Sequence, residues 1–282
     1  MRRIDHIVIA VRDLDKAADA YRRIGFQVGA RNRHPWGTEN RLIQFGSSFI
    51  ELITIGESAD LAPHRPRQFS FGAFVRDYLN KREGIAMLAL SSADAISDAA
   101  LFADRGIGDF EPFSFSRTGV RPDGSETKVA FTLAFAHDSD APDLSFFVCQ
   151  QHYPQNFWNR DFQRHPNGAT NIATVTLTAA APEHHKRFLT AFTGIVPQLS
   201  ERAIKFALAA GCIEVQPAKA HNPLQASPVF TSFAVQVEDV GAVRRLLARQ
   251  GIPFTGSDED VAVAAPASSH AVELRFEPAH RT

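Results

Sequence analysis

The sequence predicts an α+β fold of four βαβββ units, paired two by two into curved, cup-shaped mixed sheets. Three observations predict it. One sixteen-residue string recurs without a gap, apolar spacing switches between helical and period-two, and a glycine closes each helical stretch. The recurring string is VRDLDKAADAYRRIGF (11–26), which overlays VEDVGAVRRLLARQGI (237–252). Val11 meets Val237, Asp13 meets Asp239, Leu14 meets Val240, Ala17 meets Val243, Tyr21 meets Leu247 and Gly25 meets Gly251.

The elements follow in order. Unit one starts with an apolar strand, Ile4, Ile7, Val8 and Ile9, which carries one imidazole, His6. Asp13 then caps a helix, because its carboxylate accepts from free backbone N–H groups. Gly25 supplies the left-handed position that turns the chain back. Strands FQVGARN, NRLIQFG and SFIELITI follow, the last two joined at a GSS turn. Unit two repeats the order from residue 84, with a helix from about Asp94, Gly106, then VAFTLAFAH and LSFFVCQQ. In unit three Pro182 opens a helix with Phe188, Leu189 and Phe192 inward and Gly194 at its end, before AIKFALAAG and CIEVQPA. Unit four runs from Asp239 and Gly251 to VAVAAP and HAVELRF. Two lobes are expected, 1–155 and 166–282, joined by a linker, 156–165. The surrounding stretch QNFWNRDFQRHPNGA is too apolar for a free tether and is expected to pack across both lobes.

Composition excludes several classes. A net charge of −1 without a basic stripe gives no attraction to nucleic acid or anionic lipid. No apolar run is long enough to span a bilayer, and MRRIDHIVIAV is too short for a signal segment. Two cysteines, Cys149 and Cys212, make no disulfide framework, so a reducing, cytoplasmic setting is the expectation. The chain has no GxGxxG, P-loop, GxSxG or HExxH motif, which leaves nucleotide and serine-hydrolase chemistry without a foothold. Its 23 phenylalanines suit an apolar pocket for a small-molecule substrate.

The repeated βαβββ order, with DHIVIAVRDLDKAADAYRRIGF at its front, resembles the vicinal oxygen chelate superfamily of glyoxalases, extradiol dioxygenases and bleomycin-resistance proteins. RHPWGTENRLIQFGSSFIELI (33–53) and QRHPNGATNI (163–172) resemble its glyoxalase-like domain branch, over about residues 4–175. The resemblance implies a divalent metal inside the cup, with His6 from the first strand and Glu51 from the last strand of unit one as ligands. Period two agrees, since Glu51 shares a face with Phe49 and Ile53. A carboxylate there is costly to desolvate unless paired or metal-bound. His plus Glu suits Zn, Fe, Mn, Ni or Co. The partner positions in unit two fall on Ala86 or Met87 and near Phe147, with Cys149 next on that face. His152, just past unit two's last strand, is expected as the third ligand. The alternative is a His6–Glu51 hydrogen bond without metal.

The corresponding positions of units three and four are Asn171 or Ala173, Glu214, Ser232 and Glu273, with no first-strand histidine. That lobe is expected to be structural, closing the cup or forming a homodimer contact, with its glutamates solvated. In the loop RHPWGTENR, the side chains His34, Trp36, Asn40 and Arg41 are substrate-binding candidates, and His165 in the linker is another. HDSDAPD (137–143) reads as a hairpin turn, RTGVRPDGSE (117–126) as a polar excursion and EHHK (183–186) as a solvated helix start. Two function classes remain. One is a metal-dependent isomerase or lyase acting on a small oxygenated substrate, with the metal as Lewis acid and Glu51 as general base. The other is a metal-free binding protein of the bleomycin-resistance type. A ring-cleaving dioxygenase is the weaker enzyme branch, because units three and four lack its histidines.

Overall fold

The computed structural model describes residues 1–120, 126–218, 227–264 and 272–279. It contains two curved sheets built to one plan. Among the described residues the first has eight strands, in the order β2 (Asn32–Arg33), β3 (Thr38–Gln44), β4 (Phe49–Ile55), β1 (Ile4–Ala10), β5 (Gly84–Ser91), β8 (Ser145–Gln151), β7 (Glu126–Ala136) and β6 (Phe113–Val120), and the second seven, in the order β10 (Gln198–Leu199), β11 (Ile204–Ala207), β12 (Cys212–Pro217), β9 (Ala169–Ala179), β13 (Val229–Val237), β15 (Glu273–Pro278) and β14 (Val261–Ala264). Each centre is formed by the first strands of two units running antiparallel. These are β1 (Ile4–Ala10) beside β5 (Gly84–Ser91), and β9 (Ala169–Ala179) beside β13 (Val229–Val237). Each first strand also pairs in parallel with its own unit's last strand. Thus β1 pairs β4 (Phe49–Ile55), β5 pairs β8 (Ser145–Gln151), β9 pairs β12 (Cys212–Pro217) and β13 pairs β15 (Glu273–Pro278).

Local chemistry forms the elements as the repeat predicts. Asp13, Asp94 and Asp239 each accept from backbone N–H groups at the start of α1 (Leu14–Arg23), α3 (Ala95–Asp104) and α6 (Val240–Arg249). The closing glycines Gly25, Gly106, Gly194 and Gly251 all have positive φ, between 64° and 91°. Helices and sheets share one apolar core, in which Phe146 of β8 meets Phe188 and Phe192 of α5 (His184–Thr193).

Four expectations need correction. Of FQVGARN only Asn32 is strand, as the first residue of the two-residue β2 (Asn32–Arg33). Gly29 already donates to the Leu42 carbonyl, but Arg31 turns out to Asp15 and Glu39. Among its described residues unit four has two strands after its helix, β14 (Val261–Ala264) and β15, plus a single bridge between Thr255 and Ala262. The segment before unit two, read past by the repeat, forms α2 (Phe71–Lys81), capped by Ser70. His185 is buried rather than solvated, and its Nδ1 lies 2.7 Å from Asp138 Oδ2. The reason is spacing: His185, Phe188, Leu189 and Phe192 form one helical stripe on the buried face of α5. Of the excursion at 117–126, residues 121–125 lie outside the described residues.

Asn167, two residues before β9, clamps onto the end of α1. Its amide donates to the Ile24 carbonyl at 3.1 Å, its Oδ1 accepts from Ala169 N at 3.1 Å, and its own N–H bonds the Gly25 carbonyl at 3.2 Å. A Cβ on Gly25 would stand 3.0 Å from Asn167 Cβ, so Gly25 also permits this close approach. Replacing Asn167 with Ala leaves a buried carbonyl and a buried N–H unpaired. The expected loss is about 2–3 kcal/mol of stability, read as a lower midpoint in urea unfolding. An unchanged midpoint would remove Asn167 as the clamp.

Candidate functional site

The site grows from β1, every residue of which is buried. Neighbouring strand residues face opposite sides, so His6 enters the first cup while Asp5 faces a cleft behind it. Asp5 still reaches back: its Oδ1 lies 2.7 Å from His6 Nδ1, and its Oδ2 accepts from Gln151 Nε2 at 3.0 Å. The imidazole stacks on Phe49 at 4.2 Å and meets the edge of Phe147 at 5.3 Å. With Nδ1 held by a carboxylate, Nε2 is the nitrogen turned to the cavity. It lies 3.9 Å from Glu51 Oε2.

Glu51 comes from β4, two residues after Phe49, and is only 6% exposed. Its Oε1 accepts from Asn40 Nδ2 at 2.5 Å. Asn40 sits on β3 (Thr38–Gln44), and the same period of two sends Arg41 the other way. Arg41 bonds Asp15 and the Gly29 carbonyl and does not line the cavity, which corrects the sequence expectation. His34 and Trp36 do line it, stacked at 4.4 Å. His34 Nδ1 meets Thr38 Oγ1 at 2.8 Å, and burial pushes its pKa down, opposed by Glu51 and aided by Arg117. Trp36 Nε1 is buried with no hydrogen-bond partner among the described residues.

Two other candidates lie elsewhere. His165 accepts from Gln27 N through Nδ1 and meets the Gln44 carbonyl through Nε2, so both ring nitrogens serve the backbone. His152 is carried past the end of β8, is exposed, and bonds Thr132 Oγ1 at 2.8 Å. On that strand Phe147 and Cys149 face the cavity instead. Sequence reasoning also missed Asp5, Phe71 and Arg117. An acid beside a histidine in an apolar strand was a usable signal for Asp5. The other two come from an inserted helix and an excursion that the repeat does not align.

The cavity holds about 50 Å³, walled chiefly by phenylalanines from both units. At roughly 10–15 Å³ per water, that is room for an ion with a few waters or a very small organic molecule. His6 Nε2 and Glu51 Oε2 fit a divalent ion. Their separation is within reach of one centre about 2.1 Å from each, and Asp5 and Asn40 hold them from behind. Asp5, His6 and Cys149 also offer donor atoms within 4.8 Å of one another, but both Asp5 oxygens are already bonded. Burial, then Asp5 and Glu51, push the Cys149 thiol well up, so it carries a proton rather than a ligand's charge.

The second cup is lined by Thr174, Thr176, Thr178, Ser232, Glu214 and Glu273 among others, and no histidine is among its described lining residues. Glu214 pairs with Lys205 at 2.7 Å, and Glu273 is half exposed near Arg275.

Paired βαβββ units around a buried His–Glu couple define a cup of the vicinal oxygen chelate type. The family described as Glyoxalase-like domain matches residues 4–193, and the chain belongs to it. Solved structures share the fold at low identity. A hypothetical protein from Staphylococcus aureus has a TM-score of 0.69 at 13% identity, covering 99% of this chain and 100% of its own. A triple mutant of 4-hydroxymandelate synthase from Streptomyces coelicolor gives 0.59 at 13%, covering 99% and 94%. The Mn(II)-bound glyoxalase from Novosphingobium aromaticivorans gives 0.58 at 13%, covering 99% and 84%. No curated protein matches significantly. No helix among the described residues is long and apolar enough to cross a membrane.

The raised thiols make a direct expectation. Cys212 is pushed up to about 11 by burial and Glu214. In the native protein at pH 8 it should react with a thiol reagent about two hundredfold more slowly than free cysteine, given their thiolate fractions. Cys149 should not react until unfolding, when two thiols titrate. Fast native labelling of Cys149 would mean a thiolate in the cavity.

Proposed function

We propose that the protein is a glyoxalase-type enzyme of the isomerase or lyase class, acting on a small oxygenated compound at the His6–Glu51 couple. The observation that carries this reading is the 3.9 Å approach of His6 Nε2 to Glu51 Oε2 inside an apolar cavity. A divalent ion, one of Zn, Fe, Mn, Ni or Co, would be held by His6 Nε2 and Glu51 Oε2. When bound, it supplies Lewis-acid stabilisation of an enolate or oxyanion.

The chain's own groups do the remaining work. Asp5 keeps the Nδ1 proton at the back of the ring and fixes the tautomer. Asn40 pins Oε1 of Glu51, so Oε2 is the oxygen that would hold the ion and, only when it exchanges off that ion, take or return a proton on a substrate carbon. His34, whose pKa burial pushes down, meets Thr38 Oγ1 through Nδ1 and Asn40 Nδ2 through Nε2, so it helps hold Asn40 against Glu51, with Trp36 stacked on its ring. The phenylalanine walls keep water from an exchanging carbanion or enolate. The small interior weighs against sequestration of a bulky antibiotic-like ligand, and the polar second cup, without a histidine among its described lining residues, weighs against ring cleavage there.

Metal binding tests the reading without knowledge of the substrate. Protein equilibrated with each of these ions is expected to hold one per chain by elemental analysis. Glu51→Gln and His6→Ala should weaken that binding by more than about a hundredfold, and Asp5→Asn by about 10- to 100-fold. Glu273→Gln should leave it unchanged. Wild-type protein that takes up none of these ions, or Glu273→Gln as the most damaging change, would overturn the reading.

A further inference from the structure

We propose that Arg117 is the anion anchor of the first cup, and that the substrate is a short-chain carboxylate whose oxygenated carbon lies against His6 and Glu51. This rests on the reading of that couple as the reacting centre.

Arg117 lies on β6 (Phe113–Val120), a strand of unit two, and shares a face with Phe115. Both side chains line the inner cavity. Arg117, Leu42 and Phe157 also line a neighbouring cleft of about 220 Å³, so these three stand between cavity and cleft. The guanidinium therefore stands beside that cleft, half-buried among aromatic rings.

A cation in such surroundings is costly unless paired. Among the described residues Arg117 makes no hydrogen bond and no ion pair. Burial pushes its pKa down, and Glu51 is the carboxylate whose charge opposes that shift, without being in ion-pair contact. The missing partner is thus an anion arriving from outside. The gap between guanidinium and carboxylate sets the ligand's two ends. A planar anionic group meets the guanidinium fork, and an oxygen-bearing carbon extends inward to His6 and Glu51. The small interior favours a flat carboxylate over a tetrahedral phosphate.

Lactate and its neutral isostere lactamide separate charge from shape, and inorganic phosphate tests the competing anion. Binding is read by calorimetry and by the fluorescence of Trp36 at the cavity wall. Wild-type protein is expected to prefer lactate over lactamide by about tenfold or more. Arg117→Met should lower lactate affinity by about 10- to 100-fold and erase the preference, with lactamide binding and metal stoichiometry unchanged. Arg117→Lys should keep part of the preference, which guards against a methionine variant that misfolds. Wild-type protein without a preference for lactate, a preference that survives in Arg117→Met, or phosphate binding more tightly than lactate would each overturn the proposal. If no ion binds yet the Arg117-dependent preference holds, the metal reading falls and the anchor stands. Stoichiometric metal without the preference gives the converse.

Discussion

Burial of three ionisable groups at the centre of one sheet is the constraint on which the rest of the structure depends. Asp5, His6 and Glu51 are each at most 6% exposed. Taking a carboxylate out of water costs several kcal/mol even after relaxation, unless its lone pairs find donors. Here they do, and every donor comes from a different element. His6 supplies one from β1 itself, Asn40 one from β3, and Gln151 one from the end of β8. The register of β3 on β4 and of β8 on β5 must therefore be right for β1 to be buried at all. A slip of one residue would send Asn40 outward and leave Glu51 unpaired.

The same requirement joins the two units of the first lobe. Unit one contributes the couple, whereas unit two contributes aromatic walls, Cys149 and Arg117. The two-fold repeat of the backbone thus carries an asymmetric set of side chains: hard donors on one side, apolar bulk and one cation on the other. The second lobe repeats the strand order but not this arrangement. Its concave face is broad and threonine-rich, and its acids Glu214 and Glu273 meet cations near solvent. One backbone plan therefore serves a small apolar cavity in one lobe and a larger polar groove in the other. Side-chain choice at a few inward positions decides between them.

Much of this was legible in the sequence because short-range physics writes it there. Asp13, Asp94 and Asp239 cap helices, and glycines close them, through bonds that span a few residues. The period of two in FIELITI turned Glu51 inward beside Phe49, and the resemblance to the vicinal oxygen chelate superfamily paired it with His6. That same period separates Asn40 from Arg41, so the pair could not both face the cavity, and only Asn40 does. The helical stripe that buries His185 was equally present in the spacing of Phe188, Leu189 and Phe192.

By itself, then, the sequence determined the repeated units, their caps and turns, and the inward direction of Glu51, all of which follow from local geometry and strand or helix period. Tertiary structure alone decided which distant groups complete the site. Asp5 was left with Gln151, 146 residues away, as its second partner. His152 was carried past the strand end to Thr132, His165 was spent on the unit-one backbone at Gln27 and Gln44, and Arg117 was set beside the neighbouring cleft from an excursion that the repeat does not align. Such meetings depend on loop paths and on the pairing of strands far apart in the chain, and no local period encodes them.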